Sequence, residues 1–594
     1  MKTKEFFRVW WNEPRRFFFG LFALSLCLVA ALYALNTLHD YPASSALRSI
    51  ALSSVVIFVI TAVISVLLFL LAWIPPIRRG LIWVLQKRFF LLACLITLVA
   101  LFYAVENWRG NRAWETFRKS EEAKGEILDL KKIAPATVPD DENFAMSDIW
   151  IRQTIAEMGM ERAKQWYGER ALAFGTNFAR PLEISRELSN LAMTNRAGNW
   201  SKGDKIEFEF WQTYYRKLAE KTNYFPIPQQ PNLPAQDVLL ALSRYKGVLA
   251  EVKQASQRTY SRFPLNYSEE NPAAVLLPHL AKFKQLSQTL QLRSCAELAT
   301  GNTDRAMSDV SLLFRLLHAT RDEPILITLL VRFAQFQIAV QPIWEGLIAH
   351  QWNVTQLATL EHELSKLNFL ADYALSMRGE RAFSLGVMDY LEGNRNFMNE
   401  LIEPPQTSRK ENLFEAAFSQ TIPDGWFAQN KVSLARAHRD LMLPAVDVQK
   451  HTVSWEAQSR FERFNVKLAT EIHLYDWFNR MLLPALQNIS VKTARTQTCL
   501  DMTRIAVALE RYRLAHGNLP QALDALVREF LPILPPDVIT GQSLKFRMET
   551  ERKYKLYSIG WNRTDDDGKI VLNKGAEPSV NERQGDWVWQ SWAN

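Results

Sequence analysis

Residues 17–38, FFFGLFALSLCLVAALYALNTL, contain no charged side chain and are long enough to cross the hydrocarbon core of a bilayer as one helix. In lipid every backbone N–H and C=O must be paired inside the segment, so such a run has almost no alternative to a helix. Two further runs follow. Residues 49–76, SIALSSVVIFVITAVISVLLFLLAWIPP, are also uncharged, and residues 89–105, FFLLACLITLVALFYAV, are shorter but flanked by Trp108 and the apolar stretch 81–86. The reading is a membrane domain over residues 1–108 with three transmembrane helices at 17–38, 49–76 and 89–105.

The loops between the runs carry the orientation. Arg8, Arg15 and Arg16 precede the first run, and Arg78, Arg79, Lys87 and Arg88 lie between the second and third. The first loop, HDYPASSALR, holds little positive charge. The positive-inside rule then places the N-terminus and the 77–88 loop in the cytoplasm. Everything after residue 109 is expected outside it, in the periplasm of a Gram-negative cell. The expected address is the inner membrane, multi-pass, with the lipid bilayer as one partner. Cleavage of the first run as a signal peptide, at the small residues of PASSA, is the alternative. Trp10, Trp11 and Phe17–Phe19 suit the interfacial belt of a retained anchor.

A chain of 594 residues is too long for one core. Residues 109–145 end in KKIAPATVPDDENF and read as a linker, or a peripheral helix plus linker. Residues 146–489 read as an α-helical domain. SDIWIRQTIAEMGMERAKQWYGERALAF has helical apolar spacing, with Ser147 as its N-cap. In 275–340, Leu280, Phe283, Leu286, Leu290 and Leu292 form one stripe, Gly301-Asn302-Thr303 is a break, and Asp304 suits the cap of the next helix. Another helix is expected after Glu323-Pro324. This is a helical hairpin with a partner. Small residues at Ala296, Gly301 and Ala306 resemble a tetratricopeptide turn, but the period does not recur. Residues 402–432 read as an irregular insertion.

From 490 the texture changes to an α+β pattern. VKTARTQTCLDMTRIAVALERYRLAHGNLP reads as one helix ended by Gly517, and QALDALVREFL as a short helix. LKFRMET, KYKLYSI and GDWVWQSW read as strands. The order ALERYRLAHGNLP, LDAL, LP-x-LPPD, G-x-x-L-x-F, Y-x-LYSIG, an Asp-rich turn and GDWVW resembles the C-terminal domain of the type II secretion major pseudopilin over residues 490–594. FPLNY, LLPHLAKFKQL, TGNTDRA, DEPILITLLVRFA and RGERAF are similar to uncharacterised bacterial membrane proteins ending in the same module. A pseudopilin has one apolar helix directly before this module, whereas here the module is preceded by residues 1–489. The family's Asp-Pro is Asp537-Val538 here. The resemblance implies the module's fold, not pilus assembly. The fold class is therefore mainly α: N-terminal transmembrane helices, a large helical-hairpin domain, and a small C-terminal α+β module.

The turn NRTDDDGK raises the question of a metal. An EF-hand frame on Gly568 would put Arg563 and Lys574 at its first and last ligand positions, which excludes it. The pseudopilin resemblance implies calcium in this loop, with Asn562, Asp565, Asp566, Asp567 and Asp586 as ligands. The alternative is a solvated acidic turn, since Asp-Gly favours turns.

Elsewhere chemistry is sparse. No G-x-x-x-x-G-K, G-x-S-x-G, H-E-x-x-H or C-x-x-C occurs. Cys27 and Cys94 lie in apolar runs, and Cys295 and Cys499 are too isolated for a disulfide framework. His362 and His473 read as surface or satisfied residues. His279 and the run Arg378-Gly379-Glu380-Arg381 stand out, the latter as a structural ion pair among its own members. The net charge of +8 is scattered, which points away from nucleic acid. The expected role is a non-enzymatic extracytoplasmic scaffold with a protein partner in the envelope, linked to a secretion or pilus-like apparatus. The alternative is an enzyme or small-ligand receptor with its site in a cleft of the helical domain.

Overall fold

The computed structural model describes residues 75–174, 195–222, 224–395, 421–471, 475–550, 553–575 and 579–592. Two compact units divide the chain, Met1–Glu106 and Asn107–Asn594. The expected spans at 17–38 and 49–76 lie outside the described residues, save the last two positions of the second. The third lies in helix α1, Pro75–Glu122. Its apolar side chains face outward, with Phe90 65% and Leu98 64% exposed. Two described helices are long and apolar enough to cross a membrane, this one from Phe90 and a second at Leu326–Ile348, which is mostly buried as a core helix.

The unit from Asn107 onward is mainly helical. The 109–145 stretch is helical to Glu122, and Phe117, Leu128 and Leu130 beyond it or within it are buried. Helix α2, Asp148–Met158, has Ser147 at its N-cap position, but the hydroxyl donates back to the Phe144 carbonyl. After α3 (Phe208–Thr222) and α4 (Pro234–Leu242) comes the central layer: α5 (Pro278–Ala299), α6 (Thr303–His318) and α7 (Leu326–Ile348). The α5–α6 turn is made by Gly301 in the left-handed region, and the Asn302 N–H returns to the Glu297 carbonyl at 2.8 Å. Asn302, not Asp304, occupies the N-cap position of α6; Asp304 instead accepts from Gln356 at 2.8 Å. Helices α8 (Val354–Ser365), α9 (Phe369–Gly393) and α10 (Asp424–Ala437) complete the layer.

Helix α11, Ile489–His516, runs through this packing and is buried on every side over most of its length. Threonine makes that tolerable. Thr493, Thr496 and Thr503 donate to the carbonyls of Ile489, Lys492 and Cys499, four residues back, at 2.7–2.8 Å. Each hydroxyl satisfies itself and presents a methyl to its neighbours. Gly517 ends the helix in the left-handed conformation.

A small antiparallel sheet follows. Strands β1 (Val446–Asp447) and β2 (Thr452–Val453) form a separate minimal hairpin. In the C-terminal sheet β3 (Lys545–Thr550) pairs with β4 (Lys553–Ser558), with Phe546 opposite Leu556. Strands β5 (Ile570–Leu572) and β6 (Val580–Gly585) form a second two-stranded ribbon, and β7 (Trp587–Trp589) pairs with β4. The short helix expected at QALDALVREFL is only a 3-10 turn, Leu523–Leu526, because Val527 turns extended and Arg528 takes a positive φ. Trp589 packs against Trp200 with the rings tilted at 35°, and the Trp344 indole donates to the Gln590 carbonyl at 2.6 Å. One apolar core thus runs from Phe117 to Trp589.

Candidate functional site

A cleft of about 790 Å³ lies between the helical layer and the C-terminal ribbon. Helical periodicity builds three of its walls. Lys284, Gln288 and Gln291 share one face of α5, and Phe333, Gln337 and Gln341 one face of α7. Lys492, Arg495 and Thr496 share one face of α11, and Asn581, Glu582 and Arg583 of β6 close the fourth side. The turn at 197–201 forms the rim. Gln341 fixes it by accepting from the Trp200 N–H at 2.7 Å, and Gln337 accepts from the Trp200 indole at 3.2 Å. Gly198 has a positive φ, a conformation that favours glycine, and a Cβ there would press on the Gln341 amide. Gln341 is anchored in turn to Glu345 at 2.8 Å, whose carboxyl burial pushes above the usual range.

The charges in the cleft are unbalanced. Its lining holds Lys284, Lys492, Arg495 and Arg583 against the single carboxylate of Glu582. Arg583 is engaged at its edge with Glu462 at 2.7 Å and Asn488 at 2.6 Å. Arg495 is half-buried, and its one hydrogen bond among the described residues goes from Nη1 to the Val580 carbonyl at 3.3 Å. Burial pulls its pKa below the usual arginine value, opposed by Glu582. Lys284 and Lys492 are exposed, with no ion pair among the described residues. None of these residues stood out in the sequence: lysines and glutamines spaced three or four apart look like any solvated helix face.

The acidic loop is arranged differently. Asp586 is fully buried and accepts from the N–H groups of Gly568 at 2.7 Å and Asp566 at 3.1 Å. Burial raises its pKa, against the pull of those N–H donors. Asp565 accepts from the Tyr557 hydroxyl at 3.1 Å, Asp567 pairs with Arg547 at 2.6 Å, and Asp566 accepts from Asn562 at 2.9 Å. The loop therefore brings all five expected ligands into one turn, yet faces the carboxylate oxygens towards backbone N–H groups, the Tyr557 hydroxyl, the Asn562 amide and the Arg547 cation. No group of three acidic, histidine or cysteine side chains suited to a metal occurs among the described residues. As arranged, these carboxylates do not fit a calcium shell.

The remaining sequence oddities are buried pairs. His279 faces Glu323 at 3.0 Å, with Phe263 stacked on the imidazole, and Thr328 donates to the same carboxylate at 2.8 Å. Arg381 is 1% exposed and binds Glu126 at 2.6 Å, with Arg378 at 3.6 Å from the same acid. The arginines thus pair with a distant residue and not with Glu380 as expected. Burial pushes Glu380 up to about 7, with its hydrogen bond to Ser384 opposing. His362 is exposed and His473 lies outside the described residues. Comparison with protein-family models, curated proteins and solved structures finds no match to this chain.

Proposed function

We propose that this chain is a multi-pass inner-membrane protein whose body, beyond residue 109, is an extracytoplasmic scaffold that engages a protein partner of a secretion or pilus-like envelope apparatus. The observation that carries the membrane part is the outward-facing apolar surface of α1 around Phe90 to Val105. In water such a surface costs about 25 cal/mol per Å² exposed, and lipid removes that cost. The basic residues before and between the apolar runs support the orientation. The pseudopilin resemblance of residues 490–594 supports the choice of apparatus. The test is a reporter at the C-terminus of the full chain in cells. Activity only from an extracytoplasmic reporter is expected, and activity only from a cytoplasmic one overturns the reading.

A second reading, a small-ligand receptor, is favoured by the polar cleft. A body built purely for packing has no need of a basic, amide-lined recess of this size.

A further inference from the structure

We propose that the cleft between α5, α7, α11 and β6 binds a small organic polyanion bearing carboxylate or phosphate groups, with Arg495, Lys492 and Lys284 as its charged contacts. This rests on the receptor reading above.

Three observations carry it. The first is charge. With Arg583 occupied by Glu462, two lysines and one arginine remain against Glu582. A recess of one sign with low-dielectric walls concentrates anions. The second is Arg495. A guanidinium carries five N–H donors in a planar fork, and this one, drawn partly out of water, uses a single long bond to a carbonyl. Partial burial of a cation without a bonded carboxylate is costly, and an oxyanion seated on the fork supplies the missing acceptors. The third is the wall. Gln288 is buried, and its Oε1 has no hydrogen-bond partner among the described residues. That oxygen is an acceptor, so it calls for a hydroxyl or N–H donor on the body of the ligand beside its anionic groups. Lys284 stands on α5 and Lys492 with Arg495 on α11, so the cations come from two walls. That arrangement matches separated anionic groups on one molecule. The volume of about 790 Å³ lies in the range of small-molecule sites.

The test uses the full chain in neutral detergent. Citrate and inorganic pyrophosphate serve as carboxylate and phosphate probes, maltotriose as a neutral probe and KCl as an ionic-strength control. Melting temperature and calorimetric binding are read. Citrate, pyrophosphate or both are expected to bind and raise the melting temperature, and whichever acts names the anionic group. Arg495→Gln and Lys492→Glu should weaken that binding at least ~10-fold, as loss of a charged hydrogen bond predicts. Lys450→Glu, on the β1–β2 turn outside the cleft, should leave it unchanged. Lys492 is exposed, so its variant keeps the fold and carries the test should Arg495→Gln fail to fold. Shifts matched by KCl, or unaffected by both cleft variants, overturn the proposal. Binding of maltotriose alone overturns the anionic class while leaving a receptor. Silence of every probe overturns both.

Discussion

At the scale of single residues, burial decides which polar groups matter. Gly379 lies against the Pro324 backbone, where a Cβ would run into the carbonyl oxygen. Gly379→Ala should destabilise the unit by about 1–3 kcal/mol through forced displacement, read as a lower melting temperature. His451 contacts the buried Asp501 at 2.7 Å. Desolvation disfavours the charged imidazole, but the carboxylate outweighs it, and the pKa is raised above 6.5. The stabilisation from His451 is therefore complete below pH 6.5 and fades as pH climbs through the raised value. The advantage of the native chain over His451→Gln should be larger at pH 5.5 than at pH 9 in paired thermal melts. In the acidic loop, Asp586→Ala orphans two N–H groups and should cost about 1–3 kcal/mol. Calcium should not restore that loss, and a chelator should leave the native melting temperature unchanged. Calcium rescue would show that the loop rearranges around the ion. Sequence reasoning singled out His279 and the 378–381 run because lone ionisable groups in apolar helices are conspicuous. It could not name Glu323 or Glu126 as partners, since those contacts close only in three dimensions.

At the scale of elements, periodicity made most helices readable, and glycine marked their ends. The α5–α6 hairpin and the end of α11 at Gly517 follow from apolar spacing and left-handed glycine alone. Strands β3, β4 and β7 were legible because aromatic and branched residues alternate there. The β5–β6 ribbon was not, since its run from Ile570 to Gly585 is largely polar and pairs only over short stretches. The cleft went unread for a related reason: its wall residues sit on elements whose mutual approach no local pattern reports. Helix α11 tests the self-satisfying threonine account. Thr493→Val and Thr503→Val should stay within about 1 kcal/mol of the native chain, because valine keeps the shape, removes the hydroxyl that needed a partner, and leaves each i−4 carbonyl its helical N–H donor. Thr503→Asn, longer and with more polar groups to satisfy, should lose clearly more in the same denaturation series.

At the scale of the whole molecule, the cysteines provide a clean topology probe. Cys295 is fully enclosed and its thiol is pushed well above the ordinary range by burial, with Glu345 adding to it. Cys499 is pushed up to about 12 by burial. Both should resist a membrane-impermeant maleimide in intact cells. Lys450→Cys, on a side chain 79% exposed, should label from outside the cytoplasm without permeabilisation. Labelling only after the inner membrane is opened would reverse the proposed orientation.

Helix α11 and the two tryptophans of β7 also bear on how the chain is made. They pack against α7, α8 and α9, which leave the ribosome first. Until the last hundred or so residues arrive, those earlier helices have a groove where their centre should be. Maturation of the body must then wait for its own tail, and a chain truncated before residue 489 should be seized by quality-control proteases instead of persisting as a shortened but folded product.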